Sequence, residues 1–141
     1  MKITEVQTMH LQYPRREGYA DAQHRFSGGA GVAIRLHSDV NITGHGYVGF
    51  GVNEFAAEAV QSLIERALTP ALLGQDPFYP RRLRDSMWHA LEYTGIEGIA
   101  HFALTALDAA LWDLMARALR VPGWRLLGAC RDRIPAYAMV G

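Results

Sequence analysis

Two side chains in the second half of the sequence have the spacing of a metal-binding pair. Glu97 and His101 are four residues apart, so on a helix both would lie on one face within reach of a single ion. Two ligands are too few for a typical protein zinc site, which takes three or four. A pair of exposed side chains on a helix surface explains the same spacing, and we favour that interpretation.

A glycine motif of the dinucleotide-binding type occurs in residues 44–49. Gly44, Gly46 and Gly49 match G-x-G-x-x-G, which in nucleotide-binding folds forms the turn that opens a helix. Here the glycines lie inside an alternating strand pattern, several residues before the next predicted helix. Because strand glycines more often mark a bulge or a close backbone approach, we do not predict a nucleotide site.

The nucleophile candidates lack neighbours that would activate them. Cys130 lies beside arginines in a predicted turn, with no obvious base, and no Ser, His and Asp have the spacing of a triad. A single cysteine cannot form an internal disulfide, so we expect a reducing, cytoplasmic environment.

The composition gives no indication of a nucleic-acid or membrane partner. Fourteen basic and fourteen acidic side chains leave no net charge, which removes the electrostatic argument for nucleic acid or anionic lipid. The first ten residues lack the apolar core of a signal peptide, and no stretch is expected to span a membrane.

The stretch from Gly95 to Gly128 contains the element around which the chain is organised. Apolar residues in Gly95–Leu119 recur at helical spacing and cover more than half of the circumference. A helix this apolar is expected to be central and packed on more than one side. Pro122 and Gly123 end it.

The other periodic segments predict a small antiparallel sheet and two further helices. Strands are expected over Ile3–Tyr13, Gly31–Ser38 and Ile42–Phe50. One helix is expected to begin after a cap at Asn53 and another at Asp76-Pro77. The fold class is therefore α+β, a three-stranded antiparallel sheet packed on a helical bundle.

Two segments do not fit a simple compact domain. Residues 14–30 have no period and contain glycines at 18, 28 and 29, which predicts a long loop that is either a functional lid or a flexible connection. Residues 134–140 are apolar on both faces, as in a buried parallel strand, yet the sequence offers that strand no partner. We therefore expect part of the fold to be missing.

The order of elements and several motifs resemble a known family. The sequence ALTALDAALWDLMARALRVPGWRLLGACRDRIPAYA, from Ala103 to Ala138, is similar to the N-terminal part of the mandelate racemase/muconate lactonizing enzyme family in the enolase superfamily. Ile42–Gly46 resembles its hairpin strand, and Leu73–Pro77 resembles the lead into its next helix. Many members carry Trp-Gly-Glu where this chain has His45-Gly46-Tyr47, a difference closer to the mandelate racemase branch.

The resemblance implies a capping domain over a (β/α)₈ barrel. Residues 1–128 would form the cap, and residues 129–141 would begin a truncated barrel domain. In such enzymes Mg²⁺ is held by three carboxylates on barrel strands, and a Lys or His removes the proton α to the substrate carboxylate. Lys2 is the only lysine in this chain, and we find neither the strand-borne base nor the three carboxylate ligands. We therefore expect no cofactor in this chain and Mg²⁺ in the full-length parent.

The resemblance also identifies candidate substrate-binding residues for a small carboxylate. The family closes two cap segments over the barrel mouth, which correspond here to Arg16–Ser27 and Phe50–Asn53. The candidates are Tyr19, His24, Arg25, Phe26, Phe50 and Met139. The first four offer stacking and carboxylate pairing, Phe50 an apolar wall, and Met139 a position on the barrel strand.

Two hypotheses about function follow. The first is the capping portion of an Mg²⁺-dependent racemase, cycloisomerase or acid-sugar dehydratase, with no catalytic residue of its own. The second is a free-standing, non-catalytic binding or structural module derived from such a cap. The uncovered apolar helix and terminal strand predict that the chain without a barrel forms a homo-oligomer or aggregates, whereas a clean monomer would favour the free-standing module.

Overall fold

A computed structural model describes residues 1–20, 22–50 and 54–138 of the chain, without the side chains of residues 15–17, 19, 26, 27, 50 and 54. The strands are β1 (Ile3–Ala20), β2 (Arg25–Ser38) and β3 (Thr43–Phe50). The helices are α1 (Glu54–Leu63), a π-helical segment (Ile64–Leu68), α2 (Thr69–Leu72), α3 (Pro80–Leu91), α4 (Ile99–Leu119) and α5 (Gly123–Leu126). The strands pair antiparallel in the order β1-β2-β3, so the predicted α+β fold is confirmed.

The long loop predicted for residues 14–30 is wrong. β1 continues to Ala20 and β2 already begins at Arg25, so the segment is the outer part of a hairpin. Pairing is regular up to Pro14 opposite Gly28, breaks, and resumes with Tyr19 opposite Phe26. A strand shows a two-residue period only where one face is buried, and the described side chains between Pro14 and Arg25 are exposed, which explains the missing period there.

The helical boundaries differ from the predictions at two prolines. Helical turns run from Glu54 through Pro70 to Leu72, because the π-helical segment precedes Pro70 and places the proline in a first turn, where its missing N–H is tolerated. α3 begins at Pro80 rather than at Asp76-Pro77. The Asp76 carboxylate accepts a hydrogen bond from the Phe78 N–H at 3.0 Å, which makes a turn ahead of the helix.

The central helix is confirmed as α4, beginning at Ile99 rather than Gly95. It packs on the inner face of the sheet and on α1 and α3, and its buried residues form much of the core. Contrary to the sequence-based expectation, α4 is long and apolar enough to cross a membrane by length and composition. Because 56% of that stretch is buried inside the protein, the apolar composition is explained by the role of α4 as the core helix.

Two of the three glycines of the G-x-G-x-x-G motif bring β3 into backbone contact with α4. A Cβ at Gly46 would lie 2.1 Å from the Ala106 carbonyl oxygen, and one at Gly44 would lie 2.2 Å from that of Ala110. Any side chain would therefore force the strand away from the helix. This close approach confirms the packing interpretation of the motif.

Polar contacts fasten the same strand and helix at their edge. One carboxylate oxygen of Asp113 accepts hydrogen bonds from the His45 backbone N–H at 2.8 Å and from Arg117 Nε at 2.7 Å. Partial burial alone would raise the pKa of Asp113, but the Arg117 and His45 hydrogen bonds together lower it below the usual range.

The terminal strand predicted from Ile134 is not formed over residues 134–138. Ile134 and Tyr137 are 82% and 87% exposed, and no strand lies beside them in the described part of the chain. Strand geometry needs a neighbouring strand to satisfy its backbone groups, so an apolar sequence alone does not produce it.

The glycine contact gives a stability prediction. Gly46→Ala should lower the free energy of unfolding by about 1–3 kcal/mol, the usual range for overpacking, because the new methyl group meets a backbone carbonyl that cannot rotate away. Urea denaturation measures it. Gly123→Ala is the matched control, since nothing lies within 4 Å of its added Cβ. Equal stability of Gly46→Ala and wild type would contradict the close packing.

The Asp113 contacts give a pH prediction. Because the folded state lowers the pKa of Asp113, its ionised carboxylate stabilises the fold fully at a pH above the pKa of about 3.9 in the unfolded chain. That stabilisation is lost as the pH falls through the lower pKa of the folded state. Asp113→Asn should therefore be less stable than wild type at neutral pH, with a gap that narrows in acid. Asp132→Asn, at an exposed position, should follow wild type. A gap that stays constant down to acid denaturation would contradict the prediction.

Candidate functional site

Most of the predicted substrate-binding residues lie at one end of the sheet. Tyr19, His24, Arg25 and Phe26 belong to the outer part of the β1–β2 hairpin, where Tyr19 and Phe26 are opposite each other. Phe50 ends β3 and pairs with β2 at Ala30. The antiparallel pairing therefore brings five predicted positions to a single edge of the fold.

The side chains of these residues are described only in part. His24 and Arg25 are exposed at the hairpin end. The structure describes only the backbone of Tyr19, Phe26 and Phe50. Met139 and the predicted cap Asn53 lie outside the described residues altogether. The structure thus places the backbone of the hairpin candidates together, and their contacts with substrate remain a prediction.

Two tyrosines that the sequence analysis missed meet on the outer face of the sheet next to this end. The Tyr47 hydroxyl is hydrogen-bonded to Tyr13, and the Tyr13 hydroxyl lies 3.4 Å from the Ala30 carbonyl oxygen. This hydrogen bond, with a smaller contribution from burial, raises the pKa of Tyr47 above its usual value. A raised pKa indicates that Tyr47 donates its proton to Tyr13, because ionisation would remove that bond.

Glycines make room for both tyrosine rings. A Cβ at Gly29 would lie 2.2 Å from the Tyr13 ring, and one at Gly31 would lie 2.6 Å from the Tyr47 hydroxyl. Outward-facing glycines beside an outward-facing aromatic residue on the neighbouring strand are a sequence signal that could have identified the pair.

A second candidate surface lies between α4 and α5. A cleft of about 560 Å³ is lined there by Thr105, Asp108, Ala109, Trp112, Asp113, Gly123, Trp124 and Leu127. We call it the α4–α5 cleft. Trp124 and Leu127 are 52% and 61% exposed, so its walls are apolar and uncovered. Surfaces of this kind are typical of interfaces.

Asp108 is the polar group of the α4–α5 cleft. Burial raises the pKa of its carboxyl, partly offset by the charge of Arg84 and a hydrogen bond with Trp112. A carboxylate accepts several hydrogen bonds, so Asp108 has acceptor capacity left beyond Trp112. A surface that covers the cleft could therefore place a hydrogen-bond donor or a cation against the Asp108 carboxylate.

The Glu97–His101 pair lies in another cleft, between α3 and α4. Both residues line a space of about 660 Å³ with Trp88 and Phe102, and the His101 ring stands edge-on to Trp88 at 6.4 Å between centroids. Nowhere in residues 1–20, 22–50 and 54–138 do three His, Cys, Asp or Glu side chains form a group that could hold a metal. The described residues therefore do not fit a magnesium centre of three carboxylates.

Comparison with known proteins agrees with the fold. The N-terminal domain of the mandelate racemase/muconate lactonizing enzyme family matches residues 3–128. The 3,6-anhydro-alpha-L-galactonate cycloisomerase of Streptomyces coelicolor is 36% identical over 107 residues, covering 76% of this chain and 29% of that protein. The arabinonate dehydratase of Saccharolobus solfataricus is 37% identical over 101 residues, covering 70% and 27%.

Solved structures extend the match to three dimensions. A racemase from Streptomyces coelicolor with bound magnesium superposes with a TM-score of 0.84 at 31% identity, over 89% of this chain and 35% of that one. L-Talarate dehydratase from Polaromonas sp. JS666, complexed with Mg and L-glucarate, gives 0.83 at 26% identity, over 93% and 36%.

These comparisons agree on extent as well as on fold. The chain spans 27% to 29% of the two curated relatives and 35% to 36% of the two solved structures. The family match covers all of the helices and strands described above. The chain therefore belongs to the mandelate racemase/muconate lactonizing enzyme family, and the part that it matches is the N-terminal domain.

Proposed function

We propose that the chain is the substrate-capping portion of a magnesium-dependent enzyme that removes the proton α to a carboxylate, as a racemase, cycloisomerase or acid-sugar dehydratase. The observation that carries this proposal is the match of residues 3–128 to the family's N-terminal domain, together with relatives that are a cycloisomerase and acid-sugar dehydratases. The substrate is a small carboxylate, in keeping with the L-glucarate bound to the talarate dehydratase.

We assign the base and the magnesium ligands to the part of the relatives' length that this chain does not match. The described residues contain no suitable group of three ligands. Residues 1–128 are then the cap and 129–141 the lead into the barrel, a division supported by the end of the family match at residue 128. The exposed free Cys130 suits a cytoplasmic enzyme.

The hairpin end contributes the contacts to substrate. Arg25 presents a planar guanidinium that pairs with a carboxylate through two parallel hydrogen bonds, and His24 is a neighbouring donor. Tyr19, Phe26 and Phe50 supply aromatic surface at the same end of the sheet, and Met139 supplies a contact from the barrel side.

In the full-length enzyme, the rest of the protein packs against the α4–α5 cleft. Its exposed Trp124 and Leu127 need cover, and the partly buried Asp108 needs a donor. In the parent the barrel supplies both. In the 141-residue chain alone, a second copy covers the same surface, which is the basis for a homo-oligomer.

The function is tested with the reading frame continued beyond residue 141. In the presence of Mg²⁺, the protein encoded by the continuous frame should exchange the α-proton of an acid sugar for deuterium from deuterated water. Proton NMR measures this exchange for each member of a panel of aldonates and aldarates. Arg25→Ala should raise KM by about tenfold or more, and Arg25→Lys by less, because lysine keeps the charge but loses the paired geometry. Arg131→Ala, outside the hairpin, is the control.

Two results would contradict this proposal. A stop codon directly after residue 141 would favour the free-standing module. If the KM for α-proton exchange is unchanged in Arg25→Ala, Arg25 does not contact the substrate, although the proposed reaction class still holds.

The cover of the α4–α5 cleft is tested by sedimentation velocity on the 141-residue chain over a range of protein concentrations. We expect a dimer, a larger species or aggregation, and Leu127→Glu should shift the population toward monomer because it places a charge on the apolar wall. Val40→Glu, on an exposed turn far from the cleft in sequence, is the matched control. A clean monomer that binds no hydrophobic dye would contradict the interface.

A further inference from the structure

Tyr13 and Tyr47 connect all three strands through side chains. Tyr47 on β3 donates to the hydroxyl of Tyr13 on β1, and Tyr13 points its own hydroxyl at the carbonyl of Ala30 on β2, 3.4 Å away. The hydrogen bonds therefore run from one edge strand to the other and end on the backbone of the middle strand. The two phenols lie on the outer face, where they take no part in the core around α4.

The position of this connection in the sheet is specific. Tyr13 forms one of the last regular pairs of β1 with β2, next to Pro14 opposite Gly28, before the register breaks. Ala30, which receives the hydrogen bond, is opposite Phe50 at the end of β3. The connection thus runs diagonally across the sheet, from Tyr47, opposite Ala33 and three residues before the end of β3, to Tyr13 where the outer hairpin begins.

The backbone around that level is poorly held by the sheet itself. Between Pro14 and Tyr19 the strands lose their regular register, and Gly28 and Gly29 lie on the opposite strand. Glycines and a register break leave fewer regular backbone pairs to fix the outer hairpin against the rest of the sheet. A side-chain connection just below the break is suited to supplement these pairs.

We infer that Tyr13 and Tyr47 form a clasp that fixes the outer hairpin relative to the end of β3. The inference rests on the proposed function for its purpose, because the clasp then positions Arg25 and Phe50 together over one substrate. The two tyrosines are positioning residues and do not touch the substrate. Loss of either hydroxyl releases the outer hairpin and the end of β3 in the same step.

Hydrogen exchange followed by mass spectrometry on the 141-residue chain tests the clasp. Tyr47→Phe and Tyr13→Phe keep both rings over their glycines and remove only the hydroxyls. Tyr47→Phe should speed exchange about fivefold in the peptides of residues 14–28 and of the end of β3, the effect of losing one neutral hydrogen bond, and Tyr13→Phe, which also loses the bond to Ala30, by at least as much. The double variant should add little to Tyr13→Phe, because that single variant already removes both hydrogen bonds of the clasp.

Controls separate a clasp from general destabilisation. Tyr93→Phe, at a fully exposed tyrosine, should change nothing. Peptides around Leu107 in the core should exchange at the wild-type rate in every variant, whereas a global loss of stability would speed them as well. Gly29→Ala is a second way to open the clasp, since its methyl group would displace the Tyr13 ring.

Spectroscopy gives an independent measurement. In chain labelled with ¹³C at the tyrosine ζ carbon, the Tyr47 resonance should titrate at a lower pH in Tyr13→Phe than in wild type, because Tyr47 then lacks its acceptor. Full additivity of the two Phe variants, or faster exchange in only one of the two segments, would overturn the clasp. Neither measurement uses a substrate, so the clasp and the proposed function can fail separately.

Discussion

The fold depends on the contact between the backbone of β3 and the backbone of α4. Gly44 and Gly46 present no side chain to the helix, and Ala106 and Ala110 present only their small one, so strand and helix approach until backbone atoms touch. Dispersion between closely packed backbones and the exclusion of water favour this arrangement, and any larger residue on the strand side would separate the two elements. The Asp113 hydrogen bonds then fix the register of the contact at its edge.

That contact determines which parts of the molecule remain available for function. With its inner face against α4, the sheet exposes its outer face and one end, where the β1–β2 hairpin extends beyond the core and β3 ends. The rigid core and the extended hairpin meet at the register break after Pro14. The tyrosine pair lies beside this junction, where the outer hairpin joins the part of the sheet that packs on the helix.

The same packing leaves one side of α4 uncovered. Trp112 and Trp124 line an open cleft there, with the partly buried Asp108 among them. The apolar surface is unfavourable to leave in water, and the partly buried carboxylate is unfavourable without enough hydrogen-bond donors. The two solved relatives are about two and a half times as long as this chain, and the barrel proposed for the remaining length would cover the cleft.

The sequence by itself determined the α+β class, the central helix and the family. These follow from local chemistry: the helical period of Gly95–Leu119, the alternation of Gly31–Ser38, and a motif around Asp108 and Trp112 that needs no knowledge of contacts. It also indicated correctly that the strand glycines serve close packing. Tertiary structure decided what depends on partners. β1 continues past Pro14 because β2 supplies partners for Tyr19 and Ala20, and Ile134–Ala138 form no strand because none lies beside them in the described residues. Tyr13 meets Tyr47 only because their side chains reach each other across the glycines of the middle strand. Hydrogen-bond partners distant in the chain leave no period in the sequence, and for that reason these features appeared only in the folded chain.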